Sequence, residues 1–208
     1  NASGAWATRM LSAHGPSTLY GSEYTALAID ASTSRLYAAW VRQLTADKQA
    51  VSVWTSDNAG RTWLGPYNIA TGHFSDPPSV VAANGKAYIA FAGSPHPGPC
   101  DDATSRVSDV MIATYGGSSW STPQNLTSCS SNSVLGFTGP KLALDESGRL
   151  YLVANTTDGN LWYTDNTTGT WSPPTRFAGG VDDLNAFHGY RYDYRIAASE
   201  GTAYVAYN

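Results

Sequence analysis

The chain is poor in charge, in methionine and in long apolar runs. Only 13% of its 208 residues are Asp, Glu, Lys or Arg, and the net charge of −4 comes from residues scattered along the sequence. It has no basic cluster of the kind that binds nucleic acid or an anionic membrane surface. No apolar stretch approaches the roughly 18 residues that span a bilayer. The sequence therefore predicts neither nucleic-acid binding nor membrane insertion.

Cysteine is also scarce, with only Cys100 and Cys129 present. An even count in a chain rich in Ser and Thr favours one disulfide, which would stabilise the fold by roughly 3–4 kcal/mol on the chain-entropy model. Two buried free thiols are the alternative. The low charge and the many Ser, Thr, Asn and Gly residues predict a secreted β protein. The histidines have no metal-ligand spacing, so no metal site or cofactor is expected.

An internal repeat is the most informative feature that is present. Its first half is an apolar strand, a polar turn and a second strand that ends in aromatic and small residues. Four copies carry aligned tyrosines at Tyr37, Tyr88, Tyr151 and Tyr204. Apolar and polar residues alternate with period two in each copy, which predicts half-buried strands. No segment shows helical periodicity.

The second half of the repeat is a strand, a tight turn and a tryptophan. Its copies place Trp6, Trp63, Trp120 and Trp171 at equivalent positions. Each full period thus holds four short strands, here called a, b, c and d in chain order. Four strands in a period of about 40–55 residues are typical of a β-propeller blade. The sequence predicts an all-β propeller of four-stranded antiparallel blades.

The predicted propeller is a single domain over 1–208. Its parts are an N-terminal d strand at 1–13, complete blades at about 23–71, 73–128 and 137–178, and a final a–b hairpin at 190–208. Three complete blades and an incomplete or shared fourth leave three arrangements open. The chain is a piece of a larger ring, closes as a four-bladed ring with the N-terminal strand in the last blade, or pairs with a second copy that completes it.

One c–d turn carries a recognisable motif. The segment from Ser56 to Trp63 is similar to the pattern S-x-D-x-G-x-T-W, and the segment from Thr164 to Trp171 is a degenerate second copy. This motif resembles the Asp-box, or BNR repeat, of sialidases and related secreted propellers. The residues that the resemblance assigns to these structural turns are Asp57, Gly60, Thr62, Trp63, Asp165, Gly169 and Trp171.

The resemblance implies a bracing role for the motif and no role in catalysis. We expect the carboxylate of Asp57 to accept backbone N–H groups inside the turn. Gly60 is expected to adopt a positive φ, and Trp63 to pack between blades. In such families these turns lie on the rim away from the ligand face.

Ligand-binding residues are therefore expected in the segments just before each strand a. The first segment contains Glu23, the second contains His73 and Asp76, and the third contains Phe137, Thr138 and Lys141. The fourth is the most polar, and its predicted ligand-binding residues are Tyr190, Arg191, Tyr192 and Arg195. Guanidinium groups pair with carboxylates and aromatic rings stack on sugar faces, so this composition favours a glycan ligand.

The resemblance to sialidases implies a more specific, catalytic interpretation of some of these segments. Sialidases use an arginine triad, a tyrosine nucleophile paired with a glutamate, and an aspartate acid/base, an exception to the usual pair of carboxylates. Catalytic candidates on this resemblance are Asp76, Glu23 and Tyr194. The segment Tyr194-Arg195-Ile196-Ala197 is similar to the first arginine motif of the family but lacks its proline.

Fold does not decide function, so three functions are carried forward. The first is a carbohydrate-binding module with a glycan or glycoprotein partner. The second is a glycoside hydrolase of the exo-sialidase type, and the third is a protein-interaction scaffold. Self-association to complete the propeller is compatible with each of them.

Overall fold

The computed structural model describes residues 25–45, 48–74, 76–94, 108–127, 136–156, 158–179 and 194–207. Within these ranges the secondary structure consists of strands and turns. No helix that could cross a bilayer occurs in this part of the chain. The predicted N-terminal strand at 1–13, the segment 190–193 and both cysteines, Cys100 and Cys129, lie outside the described residues.

The described residues contain fourteen strands, which form three antiparallel meanders and one hairpin. The first meander consists of β1 (Thr25–Asp30), β2 (Arg35–Thr45), β3 (Lys48–Ser56) and β4 (Leu64–Phe74). The second consists of β5 (Ser79–Ala83), β6 (Lys86–Ser94), β7 (Asp109–Tyr115) and β8 (Gln124–Asn125). The third consists of β9 (Phe137–Leu144), β10 (Leu150–Thr156), β11 (Leu161–Asp165) and β12 (Thr175–Ala178). The hairpin pairs β13 (Tyr194–Ser199) with β14 (Thr202–Tyr207).

These four units are blades 1 to 4 of a β-propeller-like arrangement. Their first strands, β1, β5, β9 and β13, contact one another in chain order, as inner strands around a common axis do. The all-β class with four-stranded antiparallel blades is thereby confirmed. Blades 1 and 2 are also joined along their edges, because His73 and Phe74 at the end of β4 pair with Ser94 and Gly93 of β6.

The repeat seen in the sequence has one register in all four blades. Each aligned tyrosine lies on the second strand and pairs with a small apolar residue of the first: Tyr37 with Ala28, Tyr88 with Val81, Tyr151 with Ala143 and Tyr204 with Ala197. Because side chains alternate across a strand, a shared register puts equivalent residues on the same face of every blade. Positions in one blade can therefore be compared directly with positions in the next.

The core lies between blades and not within them. Tyr37 and Val53 of blade 1 pack with Ile89 of blade 2 in one buried cluster. Ile112 of blade 2 packs with Leu152 of blade 3 in a second cluster. A third, smaller cluster joins blade 3 to the β13–β14 hairpin. Each blade thus buries apolar side chains against its neighbour, as packed sheets do.

On the outward faces of blades 1 and 4, the residues equivalent to these buried apolar positions are exposed. Leu27 of β1 is 69% exposed, whereas its register equivalents in blades 2 and 3, Val80 and Leu142, are buried. At the other end Tyr204 is 60% exposed, whereas Tyr37 and Tyr151 are buried. Blades 1 and 4 therefore have the apolar pattern of blades that are covered on both faces, although each exposes apolar residues on its outward face.

Two buried aspartates fasten neighbouring blades at their a–b turns. Asp30 accepts hydrogen bonds from the Ser32 backbone N–H at 3.0 Å and from the N–H of Gly85, in the next blade, at 2.6 Å. Asp145 does the same with Ser147 at 2.9 Å and with Gly201 of the following blade at 3.2 Å. We call each of these an aspartate latch. Burial raises the pKa of both carboxyls, but the hydrogen bonds outweigh it and hold each pKa below its ordinary value.

The turn that resembles an Asp-box is braced differently from the expectation. Asn58, not Asp57, occupies the aspartate position of the pattern, and its Oδ1 accepts the Thr62 N–H at 2.8 Å. Ser56 Oγ accepts the Gly60 N–H at 2.9 Å. The Asp57 carboxylate instead forms an ion pair with Arg35, whose Nη2 lies 3.0 Å from Oδ2. The prediction that Asp57 accepts the turn amides is wrong, because its side chain points out of the turn.

The glycine of the motif behaves as the sequence suggests, whereas Trp63 belongs to none of the three buried clusters. Gly60 has a φ of 81°, and the indole N–H of Trp63 donates to the Gly60 carbonyl at 3.0 Å. Trp120 packs edge-on against Tyr37 of the preceding blade, and Trp171 packs against the cluster between blades 2 and 3. In the second copy it is Asp165 that braces the turn, since its Oδ1 accepts the Thr167 N–H at 3.0 Å.

The aspartate latches predict a specific loss of stability. Asp145→Ala leaves several buried N–H and O–H donors without an acceptor and should lower the free energy of unfolding by about 2–4 kcal/mol. Glu146→Ala, the exposed neighbour, is the matched control and should cost much less. Urea unfolding followed by tryptophan fluorescence measures both.

The aspartate latches also make the free energy of unfolding depend on pH in the acidic range. A carboxyl whose pKa is lower in the folded state stabilises the fold above its unfolded value of 3.8 and loses this contribution as the pH falls through the folded pKa. The wild type should therefore lose stability below about pH 4, and Asp145→Ala should show a shallower loss. An equal acid dependence of both proteins would contradict the role given to Asp145.

Candidate functional site

Two basic residues occupy one register position on neighbouring inner strands. Lys141 of β9 pairs with Val153, and Arg195 of β13 pairs with Ala206, so both lie at the same level of their blades. The equivalent residues in blades 1 and 2 are the uncharged Ala26 and Ser79. Since β9 and β13 are in contact, the repeat brings two positive charges together near the axis.

Asp76 supplies the opposite charge. It lies between β4 and β5, just before Pro77 and Pro78, and its side chain is fully buried. Its charge acts on Lys141 of blade 3 and on Tyr194 of blade 4. Asp76, Lys141 and Arg195 therefore come from three successive blades to one place, and we call them the axial cluster.

The electrostatics of the axial cluster are unbalanced. Burial lowers the pKa of Lys141, the charge of Arg195 lowers it further, and Asp76 offsets part of this effect. The net pKa of Lys141 stays below its ordinary value. Arg195 is exposed, and its Nη1 donates to the Tyr194 carbonyl oxygen at 2.8 Å. Among the described residues, the cluster thus brings the two cations Lys141 and Arg195 near the one carboxylate of Asp76.

Tyr194 lies beneath the cluster as a support. Its side chain is 1% exposed, and its hydroxyl donates to the carbonyl oxygen of Gly139 and lies 3.3 Å from Asn155 Oδ1. The same Oδ1 accepts the Thr138 hydroxyl at 2.7 Å. Burial raises the pKa of Tyr194, and the charge of Asp76 raises it further. A buried, protonated and hydrogen-bonded phenol is poorly placed to act as the nucleophile considered from the sequence.

Some predicted residues lie apart from this cluster or outside the described chain. His73 is exposed near the end of β4, where its backbone pairs with β6. Glu23 lies outside the described residues, as do three residues of the polar fourth segment, Tyr190, Arg191 and Tyr192. Within the part of the chain that the structure describes, no group of three or more His, Cys, Asp or Glu side chains is arranged to hold a metal.

Two functional positions did not stand out in the sequence. Lys141 was one of several polar residues before strand a, and only the shared register pairs it with Arg195. Asn155 lies inside strand β10, and no local pattern indicates that its side chain supports Tyr194 and Thr138 of other strands. Aligning the four repeats on their tyrosines was the available signal for Lys141.

The support role of Tyr194 is testable. Tyr194→Phe leaves the Gly139 carbonyl without its donor and should lower the free energy of unfolding by about 1–2 kcal/mol. Tyr207→Phe, at an exposed position of the same hairpin, is the control and should be nearly neutral. Urea denaturation of both variants decides the matter, and equal stability of Tyr194→Phe and wild type would contradict the described bond.

Comparisons with known proteins identify the fold. No protein-family model and no curated protein matches the sequence. The structure is similar to an α-L-arabinanase from Penicillium chrysogenum complexed with arabinobiose, at 15% identity and a TM-score of 0.59, covering 93% of this chain and 61% of that one. It is also similar to the α-L-arabinofuranosidase Arb93a from Fusarium graminearum, at 13% identity and a TM-score of 0.58, covering 83% and 53%.

A third similar structure is a polysaccharide lyase of the ulvan lyase family, at 12% identity and a TM-score of 0.51, covering 86% of this chain and 48% of the lyase. This chain therefore spans about half to three-fifths of the length of these solved structures. At such low identity the likeness concerns the fold alone. It places the blades of this chain in the β-propeller fold.

Proposed function

We propose that this protein is a secreted carbohydrate-binding propeller that holds its ligand at the axial cluster. The observation that carries the proposal is that Asp76, Lys141 and Arg195 come together from three blades near the axis. Asp76 is buried, Lys141 is half-buried and Arg195 is exposed. A carboxylate accepts hydrogen bonds from sugar hydroxyls, and ammonium and guanidinium groups donate to sugar oxygens. Ligand sites in proteins orient their ligands with a small number of such convergent polar groups.

The charges favour an acidic sugar. Among the described residues, Lys141 and Arg195 repel each other across neighbouring strands, and Asp76 offsets part of this effect on Lys141. A ligand carboxylate or sulfate would interact favourably with both cations, and a guanidinium group can donate two parallel hydrogen bonds to it. We therefore propose glycans or glycoproteins that carry uronate, sialate or sulfate groups as the partner class.

The fold supports a role with carbohydrates. The solved structures similar to this chain include an arabinanase holding arabinobiose, an arabinofuranosidase and an ulvan lyase. These proteins all act on carbohydrates. The full length of each extends beyond the part that this chain matches.

A glycoside hydrolase is the second candidate. The observation that favours it is the burial of Asp76 beside Lys141, because a carboxylic acid in such a site can act as a general acid or base. A sialidase mechanism would need a reactive tyrosine, and the buried Tyr194 does not provide one. Asp76 is thus the catalytic candidate that the described residues support best.

Binding at the axial cluster predicts a charge-dependent loss of affinity. Arg195→Ala should weaken binding of an acidic oligosaccharide by about 10–100-fold, since a charge-assisted hydrogen bond contributes about 1.5–3 kcal/mol. Lys141→Met should weaken it similarly, while raising the thermal midpoint because a cation no longer has to be buried. A glycan array identifies the probe, and isothermal titration calorimetry measures its affinity.

Arg176→Ala is the matched control, since Arg176 is an exposed arginine on β12 of blade 3. Its affinity for the same probe should equal that of the wild type. Wild-type affinity should also fall as the pH rises toward the lowered pKa of Lys141. An array without acidic-glycan hits, or an Arg195→Ala variant with wild-type affinity, would show that the site is not the one proposed.

Hydrolysis predicts a different pattern. If fluorogenic arabinofuranosides or sialosides are cleaved, Asp76→Asn should lower kcat by at least about 100-fold, as loss of a general acid or base does. Tyr194→Phe should keep most of the activity, because its hydroxyl is buried against Gly139. Undetectable turnover by the wild type would exclude hydrolysis of these substrates, and full activity of Asp76→Asn would exclude a catalytic role for Asp76.

A further inference from the structure

A groove of about 400 Å³ opens between blades 2 and 3, at the end of the blades where the a–b and c–d turns lie. Blade 2 contributes Tyr88 and Thr114 to it, and blade 3 contributes Leu150, Asn166, Thr170 and Trp171. The axial cluster is not part of its lining. Asp76 precedes β5 and Lys141 lies within β9, whereas the groove is lined by residues in and beside the a–b and c–d turns.

The groove occurs at an interface without an aspartate latch. Asp30 fastens blade 1 to blade 2, and Asp145 fastens blade 3 to blade 4. The first strand of blade 2 ends in Ala83, which has no carboxylate to offer to the turn of blade 3. In that turn the Gly148 N–H bonds within its own blade, to the Asp145 carbonyl oxygen at 3.0 Å. Among the three interfaces between described blades, this is therefore the one whose a–b turns are not joined by a carboxylate.

The lining has the composition of a neutral polar site. Its described residues include no Asp, Glu, Lys, Arg or His side chain. Hydroxyl and amide groups come from Thr114, Ser121, Thr122, Gln124 and Thr170, and the half-buried indole of Trp171 provides an aromatic surface. A ligand in this groove would meet donors and acceptors without net charge.

One atom in the lining lacks the bond it needs. Asn166 Oδ1 is buried and accepts no hydrogen bond from the described residues, in which it is one of five buried side-chain N or O atoms without a partner. An amide oxygen that is buried without a donor costs about 1–3 kcal/mol, so native structures rarely retain one without a reason. This oxygen has almost no exposed surface, so a ligand hydroxyl in the groove would donate to it once the Asn166 side chain rotates toward the groove.

We infer that the groove is a second carbohydrate site, which takes a neutral sugar residue. The apolar face of a pyranose or furanose ring packs on an indole, and its hydroxyls pair with amide and hydroxyl groups. The volume lies within the range of about 300–1,000 Å³ that small-ligand sites occupy. The absence of charged groups in the described lining separates this ligand from the acidic sugar proposed for the axial cluster. The inference does not depend on the axial cluster binding anything.

The test uses the whole chain, expressed in bacteria so that Asn166 carries no glycan, and neutral oligosaccharides as probes. A neutral-glycan array selects the probe, and calorimetry measures its affinity for wild type, Thr170→Trp and Asn166→Ala. Thr170 is exposed in the turn, so the new indole should fill the groove without disturbing the core. Thr33→Trp, at an exposed turn of blade 1, is the control.

Both groove variants should weaken the probe at least tenfold, and Thr33→Trp should bind as the wild type does. Protein labelled with 5-fluorotryptophan gives a second readout, in which the ¹⁹F resonance of Trp171, assigned with Trp171→Phe, should shift on titration. Thermal unfolding of each variant verifies that it is folded. Absence of neutral-sugar binding at millimolar concentration, or wild-type affinity in Thr170→Trp together with an unmoved Trp171 resonance, would overturn the inference.

Discussion

Everything in this structure depends on the burial of one blade face against the next. A four-stranded antiparallel sheet has two faces, and the clusters joining Tyr37 to Ile89 and Ile112 to Leu152 cover those faces in turn. Burying a large apolar side chain contributes about 1.5–3 kcal/mol, so these shared clusters dominate the stability of the fold. The inner strands meet near an axis because each sheet is stacked on its neighbour in the same register.

The same stacking accounts for the chemistry of the axial cluster. A residue that would be solvated on a lone strand is brought against the equivalent residue of the next blade, as Lys141 is brought near Arg195. The repulsion between Lys141 and Arg195 lowers the stability of the fold, and the charge of the fully buried Asp76 offsets part of this repulsion. Buried polar groups that cost stability and converge on one place are a usual sign of a binding or catalytic site. The support from Tyr194 and Asn155 gives the cluster a rigid base.

The sequence predicted the architecture well, because each copy of the repeat has alternating apolar and polar residues and aromatic residues at equivalent positions. The four tyrosines have one register in the structure, as their alignment implied. It predicted side-chain partners less well. Counting along the motif from Ser56 places Asn58 at its aspartate position, and in the structure Asn58 accepts the turn amide while Asp57 pairs with Arg35. The proximity of Asp76 to Lys141 joins separate blades, and no local pattern carries that information.

The alternation of the aspartate latch divides the blades into pairs. Blades 1 and 2 share a buried carboxylate bridge, and blades 3 and 4 share another. The junction between the pairs is held by apolar packing and by hydrogen bonds that include Leu142 N–H to Ser79 Oγ at 2.9 Å and Phe137 N–H to the Ser108 carbonyl oxygen at 2.7 Å. Cooperative units in proteins often coincide with such structural modules. The groove beside Asn166 lies at the junction between the two latched pairs, where this carboxylate bridge is missing.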